Sequence, residues 1–281
     1  MAQEQDTLPP EIRLTTISQV NQGNSYITFL GGLGNMEPLL YEANLIPNFY
    51  IRKIKESRLM GVFTPQIILR MYQEFSSPIK TPSYMPQITV YYRFGETNRL
   101  GDYTIFGRFA HHSNGQDGNF FLEDGSINTD SGDFTTNYVE LGVIKTDFNR
   151  HFNAVHFFRT SIQINPPVWS SKELQGIFPF YRWHFVYSIF KLPHDKETGQ
   201  QKKASISLKG RITWLFGDLN GWSPLSINRL NFSLTFNYHP EFFEDIGFFI
   251  QYYHGFDYYN IHFESQLRVL RAGIMTEILR F

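Results

Sequence analysis

The chain has 281 residues, a formal net charge of −1 and no cysteine. Balanced charge argues against the basic footprint of nucleic-acid binding, and the lack of cysteine excludes disulfides, thiolate metal sites and a cysteine nucleophile. Aromatic residues make up 17%, including 28 Phe and 16 Tyr, yet the mean hydropathy is only −0.30. That combination fits elements that are apolar on one face and polar on the other.

No run of about 18 apolar residues appears, so no membrane-spanning helix is expected. The opening Met1-Ala2-Gln3-Glu4-Gln5-Asp6 is polar and lacks the apolar core of a secretory signal. If the chain belongs to an exported protein, the expected form is a mature or recombinant one from which a signal peptide has already been removed. Residues 1–46 are weakly patterned, with a glycine-rich turn at Gly31-Gly32-Leu33-Gly34-Asn35. They are expected to form an N-terminal periplasmic or first-strand segment, with 47–281 as a single barrel domain.

From about residue 47 the chain alternates with a period of two, which places successive side chains on opposite faces. In 87–94, Ile88, Val90, Tyr92 and Phe94 oppose Gln87, Thr89, Tyr91 and Arg93. In 152–164 the apolar positions Phe152, Ala154, Phe158, Ile162 and Ile164 oppose Asn153, Arg159, Ser161 and Gln163, with His156 the exception on the apolar face. In 203–216, Ala204, Ile206, Leu208, Gly210, Ile212, Trp214 and Phe216 oppose Lys203, Ser205, Ser207, Lys209, Arg211, Thr213 and Leu215. In 229–238, Leu230, Phe232, Leu234, Phe236 and Tyr238 oppose Arg229, Asn231, Ser233, Thr235 and Asn237.

Segments this long exceed the usual strand of a soluble sandwich and match a tilted membrane strand of about 9–11 residues with extensions. A soluble lipocalin-like barrel would turn its apolar face inward; the cations Arg93, Lys209, Arg211 and Arg229 on the polar face fit a wet, salt-bridged lumen instead. The expected fold is therefore all-β, a transmembrane antiparallel β-barrel. Strands are predicted at about 47–55, 59–73, 85–96, 102–113, 135–148, 152–165, 177–192, 203–217, 227–239, 244–255 and 266–281. Bacterial barrels have an even number of strands. A twelfth is expected in 20–32, or as a short extra strand around Phe63-Thr64-Pro65.

One segment carries chemistry. In 103–115, Tyr103, Ile105, Gly107 and Phe109 form the lipid face, while Thr104, Arg108 and His112 point inward. Continued alternation sends His111 and Ser113 outward where the apolar band ends. Two residues along a strand are about 6.5–7 Å apart, so an imidazole leaning along the strand can reach a hydroxyl, as a nucleophile and its base must. On the following strand Asn137, Val139, Leu141 and Val143 share the outer face and Glu140 points in. Asn137 falls near the same rim and can orient the imidazole without adding a charge beside lipid. The bland alternative is a polar turn cap at Ser113-Asn114-Gly115 with interfacial histidines.

At these residues the chain resembles the outer-membrane phospholipase A family, twelve-stranded barrels marked by His-x-Ser-Asn-Gly at a strand end. Ser76-Ser77-Pro78 followed by Tyr84-x-Pro86-Gln87 is a second matching stretch, and Tyr259-Asn260, Gln266-x-Arg268-Val269 and Gly273-x-Met275 are a looser third. The terminal Leu279-Arg280-Phe281 is similar to the closing signature of outer-membrane barrels.

The resemblance implies a phospholipase A-type carboxylic ester hydrolase in the outer membrane of a Gram-negative-type bacterium, acting on membrane phospholipids. Ser113 would be the nucleophile, His111 the base and Asn137 the orienting group, with the Ser113 and Gly115 backbone N–H groups meeting the oxyanion. It also implies a catalytic Ca2+, by position at Gln116, Asp133 and Ser76, completed across a homodimer. Asp117, Glu123, Asp124 and Asp130 are alternative ligands or a solvated loop. The segment 116–136 is longer and more acidic than the family's, and Tyr138 rather than Arg follows Asn137. A non-catalytic barrel of the same ancestry, serving as an accessory subunit of an outer-membrane complex, is the alternative function; a small pore fits less well with such large inward residues.

Overall fold

The computed structural model describes residues 12–95, 102–193, 204–276 and 279. Arg280 and Phe281 of the terminal signature, and the polar opening Met1–Asp6, lie outside the described residues. A short helix, α1 (Leu14–Gln22), is followed by fourteen strand segments. They are β1 (Tyr26–Thr28), β2 (Leu33–Gly34), β3 (Leu39–Leu45), β4 (Phe49–Ile51), β5 (Leu59–Tyr72), β6 (Ser83–Arg93) and β7 (Tyr103–Ser113). Then come β8 (Thr135–Asn149), β9 (Ala154–Ile164), β10 (Tyr181–Lys191), β11 (Ile206–Phe216), β12 (Leu230–Tyr238), β13 (Ile246–Phe256) and β14 (Gln266–Thr276).

From β5 to β14 each strand pairs antiparallel with its chain neighbours. β1 pairs with both β14 and β3, through Tyr26↔Met275 and Tyr26↔Asn44, and so closes the wall. β1 and β2 lie in turn along β14, and β3 and β4 in turn along β5. Each such couple fills one wall position, so the barrel is closed with twelve, leaving no free edge. The twelfth position is supplied by 26–34, which overlaps the strand expected in 20–32, although residues 20–22 close α1 instead. The second position differs from the strand expected at 47–55: it begins at Leu39 and is broken by Pro47, which has no N–H to give a ladder. At the seam a Cβ on Gly273 would collide with the Ile27 carbonyl, so glycine permits the close approach.

The alternation reads out as burial. Ile88, Val90 and Tyr92 are exposed while Gln87, Thr89, Tyr91 and Arg93 are buried; Tyr103, Ile105 and Phe109 are exposed while Thr104 and Phe106 are buried. Exposed apolar side chains girdle the wall from Ile88 round to Ile250, the outward band of a lipid-facing barrel. Among the described residues no helix is long and apolar enough to cross a membrane. The exceptional His156 meets the Tyr187 hydroxyl through Nδ1 at 2.6 Å, while its buried Nε2 has no partner among the described residues.

Inside, buried ion pairs tie the wall together. Glu42 accepts from Arg70 (2.9 Å) and Arg271 (2.7 Å), and Arg70 grips Asp257 with two bonds of 2.6 and 2.8 Å. Glu140 accepts from Arg108 (3.0 Å) and Arg159 (2.7 Å). The helix α1 stops one end of the lumen, with Ile12, Leu14, Ile17 and Val20 packed on Met60, Val62, Tyr91, Phe106 and Phe157. Its anchors are polar: Asn21 donates to the Tyr91 hydroxyl (2.8 Å) and accepts from Arg159 (2.7 Å). Nine residues without a capping side chain make a helix that is marginal alone, and its short apolar stripe of Leu14, Ile17 and Val20 is buried because the barrel surrounds it.

The opposite end is lidded by a second apolar cluster of Phe120, Phe134, Leu174, Phe178, Phe180, Ile261 and Phe263. These come from three segments, 114–134, 165–180 and 257–265. The lid sits at the end where β7 finishes, and it shapes the site.

Candidate active site at the outer rim

The β7–β8 register sets His111 opposite Asn137 and Ser113 opposite Thr135. All four are on the outward face, half-buried apart from the lid. His111 Nδ1 lies 3.0 Å from Asn137 Oδ1, and Asn137 Nδ2 donates to the Trp169 carbonyl at 2.8 Å. A main-chain carbonyl only accepts. Asn137 must therefore aim its NH2 at Trp169 and its oxygen at His111, which makes Nδ1 the donor and leaves the Nε2 lone pair free to take a proton.

Trp169 was not legible as part of this arrangement. It belongs to a 3-10 turn, Pro167–Trp169, in the segment between β9 and β10. Ser170 Oγ meets Thr136 Oγ1 at 2.7 Å and Ser171 N–H donates to the Thr135 carbonyl at 2.9 Å, which lashes the turn to the start of β8. The indole packs edge-on against Phe109 with centroids 6.2 Å apart. Only Pro166-Pro167 hinted at a fixed turn, and its partner strand is some thirty residues upstream.

Ser113 is two residues from His111 on the same face, and among the described residues no hydrogen bond joins them. Gly115 has φ +67°, a left-handed conformation that favours glycine, and the Tyr84 ring lies 3.3 Å from where a Cβ would stand. Its N–H donates no hydrogen bond to another described residue. Asn114 is a staple rather than a reacting group. Buried, it donates to the Gly132 carbonyl (2.7 Å) and accepts from Gln116 N–H (3.2 Å) and Phe134 N–H (3.1 Å). The inward His112 packs edge-on against Phe134 and meets Ser83 Oγ at 3.2 Å.

Parts of all three sequence motifs converge here. Asn260 donates to Ser83 Oγ (2.9 Å) and to the Thr81 carbonyl (2.5 Å), and the Tyr259 hydroxyl donates to the Lys80 carbonyl (3.0 Å). The 257–262 segment thus holds the strand entry that carries Tyr84, which pairs with Ser113.

The expected calcium positions are less assembled. The Asn114 staple draws 114–116 and 132–134 together, which brings Gln116 and Asp133 onto neighbouring segments, and Asp133 is exposed with a carboxylate unused among the described residues. Ser76 lies on the exposed β5–β6 turn with φ +64°. Of the alternative ligands, Asp130 pairs with Lys80 (3.1 Å), and Ser126 hydrogen bonds hold the Asp124 carboxyl below its usual range. No group of three or more acidic, histidine or cysteine side chains among the described residues is placed to hold a metal. One carboxylate with neutral oxygens is a sparse set for a cation that takes six to eight oxygens, so the fit is partial within one chain.

Fold and rim together define the chain as a closed, twelve-position transmembrane β-barrel with a hydrogen-bonded His–Asn pair on its lipid side. Its fold is that of outer membrane phospholipase A from Escherichia coli: the superposition has a TM-score of 0.56 and 13% identity, over 98% of this chain and 95% of that one. An active-site mutant of the same enzyme matches equally. The Salmonella typhi outer membrane phospholipase, solved as a dimer with bound calcium, matches at 12% identity, with the same coverage and TM-score. At such identity the likeness is one of fold. No protein-family model matches the chain, and no curated protein matches it in sequence.

Proposed function

We propose that this chain is an outer-membrane phospholipase of a Gram-negative-type bacterium, hydrolysing acyl esters of membrane phospholipids by a Ser113–His111–Asn137 mechanism. The supporting observation is the chain of bonds Trp169 carbonyl, Asn137 amide, His111 Nδ1, which leaves Nε2 basic two residues from a hydroxyl on the lipid face. His111 takes the Ser113 proton as Oγ attacks the ester carbonyl. It then protonates the leaving lysophospholipid oxygen, and water repeats the sequence to free the fatty acid. The Ser113 and Gly115 N–H groups are the oxyanion donors in this reading. The outward site matches the substrate, whose ester stands at rim height with its acyl chains along the barrel wall.

Calcium belongs to the same proposal. Gln116 and Asp133 would hold it from one chain and Ser76 from a second copy in a homodimer, where it would supply positive charge near the oxyanion. The test is fatty-acid release from phospholipid micelles with and without calcium, comparing the wild type with Ser113→Ala. Turnover no greater than the mutant's in either condition sinks the enzymatic reading. The absence of a Ser113–His111 hydrogen bond and the sparse metal set favour one alternative, a non-catalytic accessory barrel in an outer-membrane complex. The same assay, combined with co-purification from native membranes, separates the two.

A further inference from the structure

Between the α1 stopper and the loop lid, the lumen holds a cavity of about 390 Å³ lined by polar and apolar side chains. Its charges do not balance. Glu140 is already shared by two arginines, and Glu42 and Asp257 are matched by Arg70 and Arg271. Lys209 and Arg211 also line the cavity, and neither meets a carboxylate among the described residues. Lys209 has only a 3.5 Å contact to the Val20 carbonyl. The two are alternate residues of β11 and share the inward face, about 6.5–7 Å apart. Ser188 stands directly opposite Lys209 in the β10–β11 register, lines the same cavity, and is 1% exposed with an Oγ that has no hydrogen-bond partner.

Uncompensated cations enclosed by a membrane-embedded wall are costly unless an opposite charge joins them, and among the described residues the interior carboxylates are spent. A buried hydroxyl without a partner beside those cations is a donor awaiting an acceptor. We propose that the cavity binds a small, doubly charged tetrahedral oxyanion, inorganic phosphate, between Lys209 and Arg211 with the Ser188 hydroxyl completing its shell. A phospholipid headgroup has the same phosphate chemistry. The cavity, however, lies on the inner side of the wall, away from the outward apolar band that acyl chains would cover, so the ligand is the free ion. The site is separate from the rim: it faces the lumen, and the proposal does not depend on hydrolytic activity.

The experiment uses the full chain in detergent micelles, exchanged into chloride buffer. Calorimetric titration and thermal unfolding are followed with inorganic phosphate, with chloride at equal ionic strength, and with a short-chain phosphatidylglycerol. The expected result is saturable phosphate binding and a rise in Tm that chloride does not reproduce, since a ligand bound only by the folded state stabilises it. Arg211→Gln and Lys209→Met each weaken binding by about tenfold or more, as loss of a charge-assisted contact should, and Ser188→Ala by about threefold. In chloride alone Arg211→Gln is at least as stable as wild type, because repulsion is relieved. Equal effects of phosphate and chloride, or unchanged phosphate affinity in all three variants, overturn the site. Binding of the lipid but not of phosphate overturns the free-ion assignment.

Discussion

The lumen and the outer rim of this barrel spend polar groups in opposite ways. In the lumen, Glu42 and Glu140 are 0% and 1% exposed, and each accepts from two arginines. At the rim, His111, Ser113 and Asn137 are half-buried and carry no formal charge when the imidazole is neutral. Glu140 on β8 ties its neighbours β7 and β9, but the Glu42 set links strands distant in the chain, since Arg70 on β5 joins Glu42 on β3 to Asp257 after β13. The rim pair links only two adjacent strands. Charges that hold the wall closed must be enclosed and fully partnered, whereas groups meant for an outside substrate must keep a free lone pair or hydroxyl. Breaking the first should cost stability, and breaking the second should cost chemistry.

The largest effect should separate the two regions outright. Ser113→Ala or His111→Ala should lower phospholipid turnover by about 10⁴-fold or more, as for other nucleophile and base deletions, with the denaturant midpoint unchanged in Ser113→Ala and lowered by no more than the loss of one hydrogen bond in His111→Ala. Loss of stability without loss of turnover would collapse the distinction.

Next comes the lumen. Glu140→Ala leaves Arg108 and Arg159 without their shared carboxylate, and breaking such a buried pair costs about 3–5 kcal/mol. Guanidinium unfolding should show this loss, while turnover per folded molecule at the rim stays near wild type.

Asn137→Ala sharpens the comparison from the rim side. Without its oxygen the His111 tautomer is no longer dictated, and kcat should fall by roughly 10²–10⁴-fold, as when a catalytic histidine is misoriented. The stability loss should be no more than about 1–3 kcal/mol for the two hydrogen bonds. Nitrogen NMR of labelled histidine provides a readout apart from activity, because His111 should lose its Nδ1-protonated signature. If kcat holds and the signature persists, Asn137 does not orient the base.

The smallest expected effect tests the strap. Trp169→Ala removes the packing on Phe109 that seats the turn but keeps the carbonyl that holds Asn137. It should lower kcat by about tenfold, consistent with the cost of a small misplacement, and Trp169→Phe should restore most of it. An unchanged rate in Trp169→Ala would show that the β8 lashing through Ser170 and Ser171 is sufficient.

Much of this molecule was written in a two-residue period. Each alternating segment from Gln87 to Tyr238 states which face meets lipid, because a strand gives a side chain only two directions and a membrane punishes the wrong one. The same rule put His111, Ser113 and Asn137 on one face, and local pairing of neighbouring strands brought Asn137 to the level of His111. Tertiary structure decided what depends on contacts between remote segments. Residues 14–22 are helical because the lumen surrounds them, and the first two wall positions are assembled from short pieces divided at residues 29–32 and at Pro47. Asn137 has its orientation because a turn thirty residues downstream folds back and offers a carbonyl. Periodicity reports the direction of a side chain, but a hydrogen-bond partner supplied by a loop is set by where the whole barrel sends that loop.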